Sequence, residues 1–435
     1  MLRIGCGTRS SDGESARQDR RRRTRVGDRL HEAKVGVRIS PTFRDAVTRD
    51  YEYIVVGLGG IGSAAAYWLS RRAGKEVLGL EQFRLGHDNG ASQDHSRIIR
   101  YAYHTPHYVQ LAKGAYDAWE ALEADLGDDL IVTSGGLDFF PSEEPLDMDD
   151  YTSSLAACDV SFEVLDACET MKRYPVFKLD DGTQVVYQAD AGIAPAARCN
   201  ATHVRLAREY GATLMESSPV TDIRPSDSGF DVAVADDVFR CRRLVVTADS
   251  WMNHVLGWLG IELPLTRTQE QVMYFAASNP ELFVPSRFPV WIWHTSAEEF
   301  YGLPVYGEPG PKVAQDVGGE EVTPETRTFE PNLANSERVV KFCERYLPDA
   351  LGPPLLTKTC IYTLTPDRDF VVDELPEHPG AFAALGAGHG FKFASLLGRI
   401  LSELAIDDAT DHDLSPFAID RPILEMKDPP KNFLI

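Results

Sequence analysis

Residues 53–81 constrain this chain more than any other stretch. Tyr53 opens an apolar run, Ile54-Val55-Val56, which leads into Gly57-Leu58-Gly59-Gly60-Ile61-Gly62. Small and apolar residues fill 63–69, and a second apolar run ends at Glu81. A run that is apolar on both sides suits a strand buried inside a parallel sheet. The small-residue stretch suits a helix packed closely on that sheet. Between them, Gly57 permits the tight turn, Gly59 lets backbone N–H groups approach a pyrophosphate, and Gly62 lets helix and strand pack closely. Glu81 follows about 20 residues after the last glycine, where an acid can accept from ribose hydroxyls. Strand, glycine turn, helix and acid in register predict a dinucleotide site. This stretch alone leaves FAD and NAD both open.

The chain has 435 residues, enough for two domains or one large interleaved fold. Its formal charge of −22 argues against nucleic acid or an anionic membrane as a partner. Seven cysteines are odd in number and scattered, with no Cys-x-x-Cys or His/Cys cluster. Neither a disulfide scaffold nor a metal site is expected, and a reducing compartment, the cytoplasm, is. No apolar run approaches the ~18 residues needed to cross a bilayer. Residues 1–50 differ from the rest: 13 Arg or Lys stand against 7 Asp or Glu, without helical or strand periodicity. Asp12, Glu14, Asp19 and Asp28 count against an organelle transit peptide, which is poor in acids. A disordered extension carrying nothing catalytic is expected there.

Further along, Thr105-Pro106 reads as a helix start, with apolar residues at helical spacing up to a stop at Gly127. Strands are expected at 130–133, 136–140, 213–216, 220–223, 230–235 and 243–247, and a strand-rich region at 271–305 in which Trp291 and Trp293 alternate around Ile292. Helices are expected at 196–210, 335–346 and 395–405. The chain reads as alternating between two domains.

Two groups of cations stand out. Arg97 and Arg100 lie three apart and would share a face if that segment were helical or turn-like. They are either surface cations or a guanidinium fork for a carboxylate. Lys392 lies in Gly388-His389-Gly390-Phe391-Lys392-Phe393, a loop that opens a helix: either a glycine turn with a lysine in solvent, or a cation joined by aimed N–H groups.

These residues, in this order, resemble the monomeric sarcosine oxidase and N-methyltryptophan oxidase family of FAD-dependent amine oxidases. The resemblance runs from about Tyr51 to Asn432. It rests on Gly57–Gly62 with Glu81, Ser96-Arg97-Ile98-Ile99-Arg100-Tyr101-Ala102-Tyr103, Tyr301-Gly302-Leu303-Pro304, Lys312, Cys360-Ile361-Tyr362-Thr363 with Thr365-Pro366-Asp367, and the loop at Lys392.

The resemblance implies an α/β fold, a Rossmann-like FAD-binding domain (51–131, 197–271 and 368–435) interleaved with a mixed-sheet substrate domain (132–196 and 272–367). It also implies site roles. Cys360 would bind the flavin through a thioether, although a lone cysteine is otherwise a small buried hydrophobe. Arg100 and Lys392 would grip a substrate carboxylate, and Arg97 would lie near the flavin. Lys312 would activate O2 by stabilising the charge of superoxide. Tyr301, Tyr362 and His389 would line the amine pocket, or else be core tyrosines and a turn histidine. The implied reaction is oxidation of a small secondary amine bearing a carboxylate, by a monomeric enzyme that reduces O2 to H2O2. A dehydrogenase passing electrons to a quinone or carrier is the alternative.

The chain departs from the family at Gln93, often histidine; at Asp249-Ser250-Trp251, commonly Gly-Ala-Trp; at Asp316, which replaces a histidine; and in a glycine loop one residue shorter before His389.

Overall fold

The computed structural model describes residues 48–432 apart from 144. The arginine-rich extension lies outside the described residues. From 48 onward the glycine stretch forms a β–α–β unit, with β1 (Thr48–Val56), α1 (Gly60–Ala73) and β2 (Val77–Leu80). β1 and β2 are parallel, and β1 has the long strand Asp237–Val246 parallel on its other side. Thr213–Met215 extends the sheet beyond β2. Two partners share the far edge of Asp237–Val246: an antiparallel hairpin takes its first half, and Ala381–Leu385 runs parallel to its second. Three helices that are far apart in sequence, α1, Ala196–Glu209 and Ala394–Asp407, gather over this sheet. A Cβ at Gly398 would lie 2.5 Å from the Ala64 backbone, so a glycine is what lets the helix Ala394–Asp407 approach α1.

The helix beginning at Thr105-Pro106 is α2 (Pro106–Leu126). The Thr105 side chain accepts from the Tyr108 N–H, Pro stands at its start, and Gly127 ends it at φ +73°. The segment before it is extended. β3 (Arg97–Ile99) pairs antiparallel with Gly192–Ala194, so Arg97 and Arg100 do not share a helical face. Three residues of extended chain turn successive side chains to opposite sides. The two arginines reach the same region by different routes, described below.

A second, mixed sheet of nine strands provides the other half of the fold. At its centre Val290–His294 pairs in parallel with Gly136–Phe140 and antiparallel with Glu299–Leu303, which in turn pairs antiparallel with Lys312–Asp316. Thr266–Phe275 bridges Lys312–Asp316 to the long strand Pro354–Leu364. The expected domain boundary at 271 falls inside Thr266–Phe275.

Strand alternation divides this sheet into two chemically different faces. Leu137, Phe139, Trp291, Trp293, Phe300 and Val313 fill one face and bury against the helix Leu333–Tyr346. Phe342 of that helix stacks on Trp291 at 5.4 Å and on Phe300 at 4.4 Å. The residues between them in sequence point the other way. On that face lie Asp138, Ile292, His294, Glu299 and Tyr301, and then Lys312, Asp316, Cys360 and Tyr362. An apolar face explains why the sheet folds; the polar face opposite it is where the site forms. Among the described residues, no helix is long and apolar enough to cross a membrane.

Candidate functional site

Two adjoining cavities meet at the N-terminus of α1. A cleft of about 860 Å³ is lined by Gly57, Gly59, Glu81, Asn200, Val220 and Trp251, among others. A smaller cavity of about 160 Å³ lies between the glycine loop, the polar sheet face and the loop 386–392. Gly59, Ala91, Ser92, Thr247 and Asp249 line both.

The three glycines have distinct tasks. Gly57 has φ +89°, and a Cβ there would lie 2.7 Å from the Thr247 carbonyl oxygen. A Cβ on Gly62 would lie 1.8 Å from the Gly57 carbonyl oxygen, so this position admits only glycine. A Cβ on Gly59 would meet only the Ser92 hydroxyl, at 3.3 Å: what it would occupy is cavity space. Gly59 is also the helix N-cap and offers no side-chain acceptor to the first-turn N–H groups. Ser92 Oγ accepts from the Gly60 N–H at 2.9 Å, and the other first-turn donors and the positive dipole end face the point where the cavities join, which suits a diphosphate. Glu81 is buried and accepts from the Leu58 N–H at 2.8 Å and the Phe83 N–H at 3.0 Å, with His87 Nε2 3.4 Å away. These donors outweigh its burial and hold its pKa below the usual glutamate value. In the same cleft the buried Asn200 Oδ1 has no hydrogen-bond partner, while its Nδ2 donates to the Ser92 carbonyl. A two-ended cleft with a diphosphate cradle at its waist and an orphan polar atom in its wall fits FAD.

Arg97, Arg100, Tyr301, Tyr362, His389 and Lys392 all line the smaller cavity. Arg97 is turned back on its own loop, donating to the carbonyls of Ala91, Gln93 and Ser96 at 2.8–2.9 Å. It therefore shapes residues 91–96 as much as it faces the cavity. Arg100 pairs through Nη1 with the buried Asp138 and leaves Nε without a partner. His294 Nε2 donates to the same carboxylate at 2.9 Å. Lys392 donates to the His389 carbonyl at 3.2 Å and lies over the Tyr103 ring. Among the described residues no acid forms an ion pair with it, and desolvation together with Arg100 lowers its pKa to about 7 against Asp316 and Glu299. His389 Nε2 is 3.0 Å from the Arg368 carbonyl, which can only accept, so the proton sits on Nε2. Burial and neighbouring cations keep this imidazole neutral, and its Nδ1 is a buried acceptor with no partner. Tyr301 and Tyr362 lie close enough to interact electrostatically, and burial raises the pKa of both.

Lys312 and Cys360 lie on the same sheet face but do not line either cavity. Lys312 Nζ is 2.6 Å from Asp94 Oδ2 and donates to the Ser96 carbonyl at 2.9 Å. Desolvation lowers its pKa to about 8 against the pull of that carboxylate. Cys360 is partly buried, and burial pushes its thiol up to about 11 despite Arg97, Arg327 and Lys312 nearby. Asp94, Asp138, His294, Glu299 and Arg368 were not singled out by sequence. An acid inside an apolar strand, as at Asp138 in Gly-Leu-Asp-Phe-Phe, is the signal that marks the second of them.

Residues 52–404 match the family described as FAD dependent oxidoreductase. The chain belongs to the FAD-dependent oxidoreductase family. Its curated relatives include a monomeric sarcosine oxidase of Streptomyces avermitilis, 34% identical over 84% of this chain and 96% of that protein. An N-methyl-L-tryptophan oxidase of Escherichia coli is 30% identical over 85% of this chain and 99% of that protein. Among solved structures the chain is similar to the open form of NikD, an amino acid oxidase essential for nikkomycin biosynthesis. That likeness has a TM-score of 0.76 at 25% identity and covers 87% of this chain and all of that one. The α/β fold of an FAD-dependent oxidoreductase expected from the sequence is thus shown.

Proposed function

We propose that this flavoenzyme oxidises a small secondary amine that carries a carboxylate, an N-methyl or cyclic amino acid. The observation that carries the reading is the pairing of Lys392 with Arg100 on a tyrosine-lined cavity that adjoins the diphosphate cradle. FAD, when bound, supplies the hydride acceptor and passes two electrons on to O2. The protein's own residues hold the substrate. Lys392 offers N–H donors not taken by any acid, and Arg100 offers Nε, so a carboxylate entering here gains charge-assisted hydrogen bonds. His389 Nδ1, neutral and unpartnered, can accept from an amine N–H and leave the nitrogen lone pair free to assist hydride loss. Tyr301, Tyr362 and Ile292 close the cavity wall and exclude water. The helix Ala394–Asp407 follows the loop that carries Lys392 and adds a positive dipole end on that side. Covalent attachment through Cys360 belongs to the same proposal, as do monomeric state and peroxide release.

The test is anaerobic mixing of the holoenzyme with a panel of N-methyl and cyclic amino acids, followed by admission of air. Bleaching of the flavin and then release of peroxide are expected; flavin that no member of the panel reduces would defeat the reading. Acid denaturation decides the linkage. Yellow colour should stay with the wild-type polypeptide and leave the Cys360→Ala variant.

A second acceptor has an observation in its favour. The cation proposed to serve O2, Lys312, is already neutralised by Asp94, and a quinone or protein carrier does not need that cation. Oxidation of reduced flavin by a quinone, much faster than by air, is the outcome that would select it.

A further inference from the structure

Glu299 and Asp316 are directly opposed across the antiparallel pair Glu299–Leu303 and Lys312–Asp316. Opposed residues of such a pair share a face, with Cβ atoms about 5 Å apart, and two like charges there repel. Both side chains line the smaller cavity. Glu299 is 4% exposed, and its Oε2 has no hydrogen-bond partner. Each acid has a cation behind it. His294 Nδ1 lies 3.5 Å from Glu299 Oε2, without hydrogen-bond geometry, and Arg368 Nη1 lies 2.8 Å from Asp316 Oδ2. His294 and Arg368 are themselves shut off from the cavity, at 0% and 1–2% exposed. The arrangement fixes from the rear two carboxylates whose residues line the chamber.

The fold does not require this pair, because the opposite face of the same strands packs with Phe300 and Val313 alone. The chamber is also polarised. Lys392 and Arg100 present positive charge, and Glu299 and Asp316 present negative charge, inside a volume of about 160 Å³. Each acid is already paired from behind, and a cation placed between them would gain an ion pair with both.

We infer that the amino acid bound here carries a second, non-reacting cation on its side chain, an ammonium or guanidinium held between Glu299 and Asp316. Its carboxylate lies against Lys392 and Arg100. The inference rests on the amine-oxidase reading of the same cavity and names its substrate class.

The holoenzyme is titrated anaerobically with ω-amino carboxylates of three to six carbons and with the alkyl carboxylates of equal length, and the flavin absorbance is followed. At least one ω-amino carboxylate should bind ten or more times tighter than its alkyl counterpart, and Glu299→Gln should remove most of that preference. Asp316→Asn leaves Arg368 buried beside an amide and can fail to fold, so the wild-type comparison and Glu299→Gln carry the test. Alkyl carboxylates that bind as tightly at every length would overturn the inference, and so would a preference that survives Glu299→Gln. Should neutral N-methyl amino acids still reduce the flavin in that case, only the cation pocket falls. Should no amino acid of either kind bind or reduce it, the amine-oxidase reading falls as well.

Discussion

Lys312 Nζ lies 2.6 Å from Asp94 Oδ2, and Asp94 holds that position at φ +131° while also accepting from the Tyr274 hydroxyl at 3.0 Å. A non-glycine residue at such a φ is strained, and the strain is retained only where surroundings over-determine it. Here they do: Lys312 and Arg97 keep the carboxylate ionised, well below the usual aspartate range.

The sign of Asp94's effect on Lys312 can be worked out. Burial and Arg97 push the ammonium down, and Asp94 pushes it up, with a net value of about 8. Removing the carboxylate removes the only upward contribution of that size. Asp94→Asn should therefore shift the titration of Lys312 toward acid by at least about one unit. If Lys312 serves O2, reoxidation of reduced flavin should fall off above pH 8 in the wild type and at lower pH in the variant. Lys312→Met should slow it by about 10²-fold and abolish the pH step. Stopped-flow reoxidation from pH 5.5 to 9 checks all three.

Lys392 gives a separate pH signature. Its pKa of about 7 means that it is cationic only below neutrality in the empty chamber. A bound carboxylate favours the charged form and raises the value, so binding should take up a proton near pH 8. Affinity for acetate should weaken tenfold per unit as pH rises above 7, and calorimetry in two buffers should report the proton. Lys392→Met should cost about 1.5–3 kcal/mol of carboxylate binding and lose the pH dependence.

Asp249 stands where the two cavities join, beside Gly59 and Thr247, and has φ +43°. Burial raises its pKa to about 6. Its carboxylate disfavours a diphosphate whenever it is ionised, so Asp249→Asn should bind FAD about tenfold tighter at pH 7.5. The gap should close below pH 6, where the wild-type carboxyl takes up its proton. Fluorescence titration of FAD into apoprotein at the two pH values measures this, and equal affinities at pH 7.5 would refute it.

The β–α–β unit and the helix α2 were legible because each depends on local chemistry: glycine at a turn, Thr-Pro at a helix start. The strands Lys312–Asp316 and Pro354–Leu364 were not assigned, since both mix charged or threonine residues with apolar ones and show no clean alternation. What hid the counter-ions was topology. Asp94 and Lys312 are 218 residues apart, and Asp138 and His294 156 apart. Sheet register brings Asp138 beside His294, and the loop before Arg97 carries Asp94 to Lys312. Arg97 and Arg100 show the converse error: spacing of three suggested a shared face, but pairing with Gly192–Ala194 extends the segment and sends the two guanidiniums to different partners.

The pair Arg100–Asp138 with His294 yields the last expectation, on stability. His294 is fully buried, stacked on Phe140 at 5.1 Å and beside Tyr151 at 5.0 Å. Its pKa is raised: burial opposes the cation, but Glu299 and Asp138 together outweigh burial. A histidine whose folded pKa exceeds its unfolded value of about 6.5 stabilises the fold fully below that pH. The contribution is lost as pH rises through the folded pKa. The margin by which the wild type exceeds His294→Gln in stability should therefore be greatest below pH 6.5 and shrink as pH rises through the folded pKa, and the variant should melt at a lower temperature at pH 6. Asp138→Asn strands Arg100 as a buried cation and should cost more, about 3–5 kcal/mol at any pH. Urea denaturation of the two variants and the wild type at pH 6 and 8.5 separates the effects. A margin between wild type and His294→Gln that stays the same at pH 6 and 8.5 would show that His294 is neutral between its two acids.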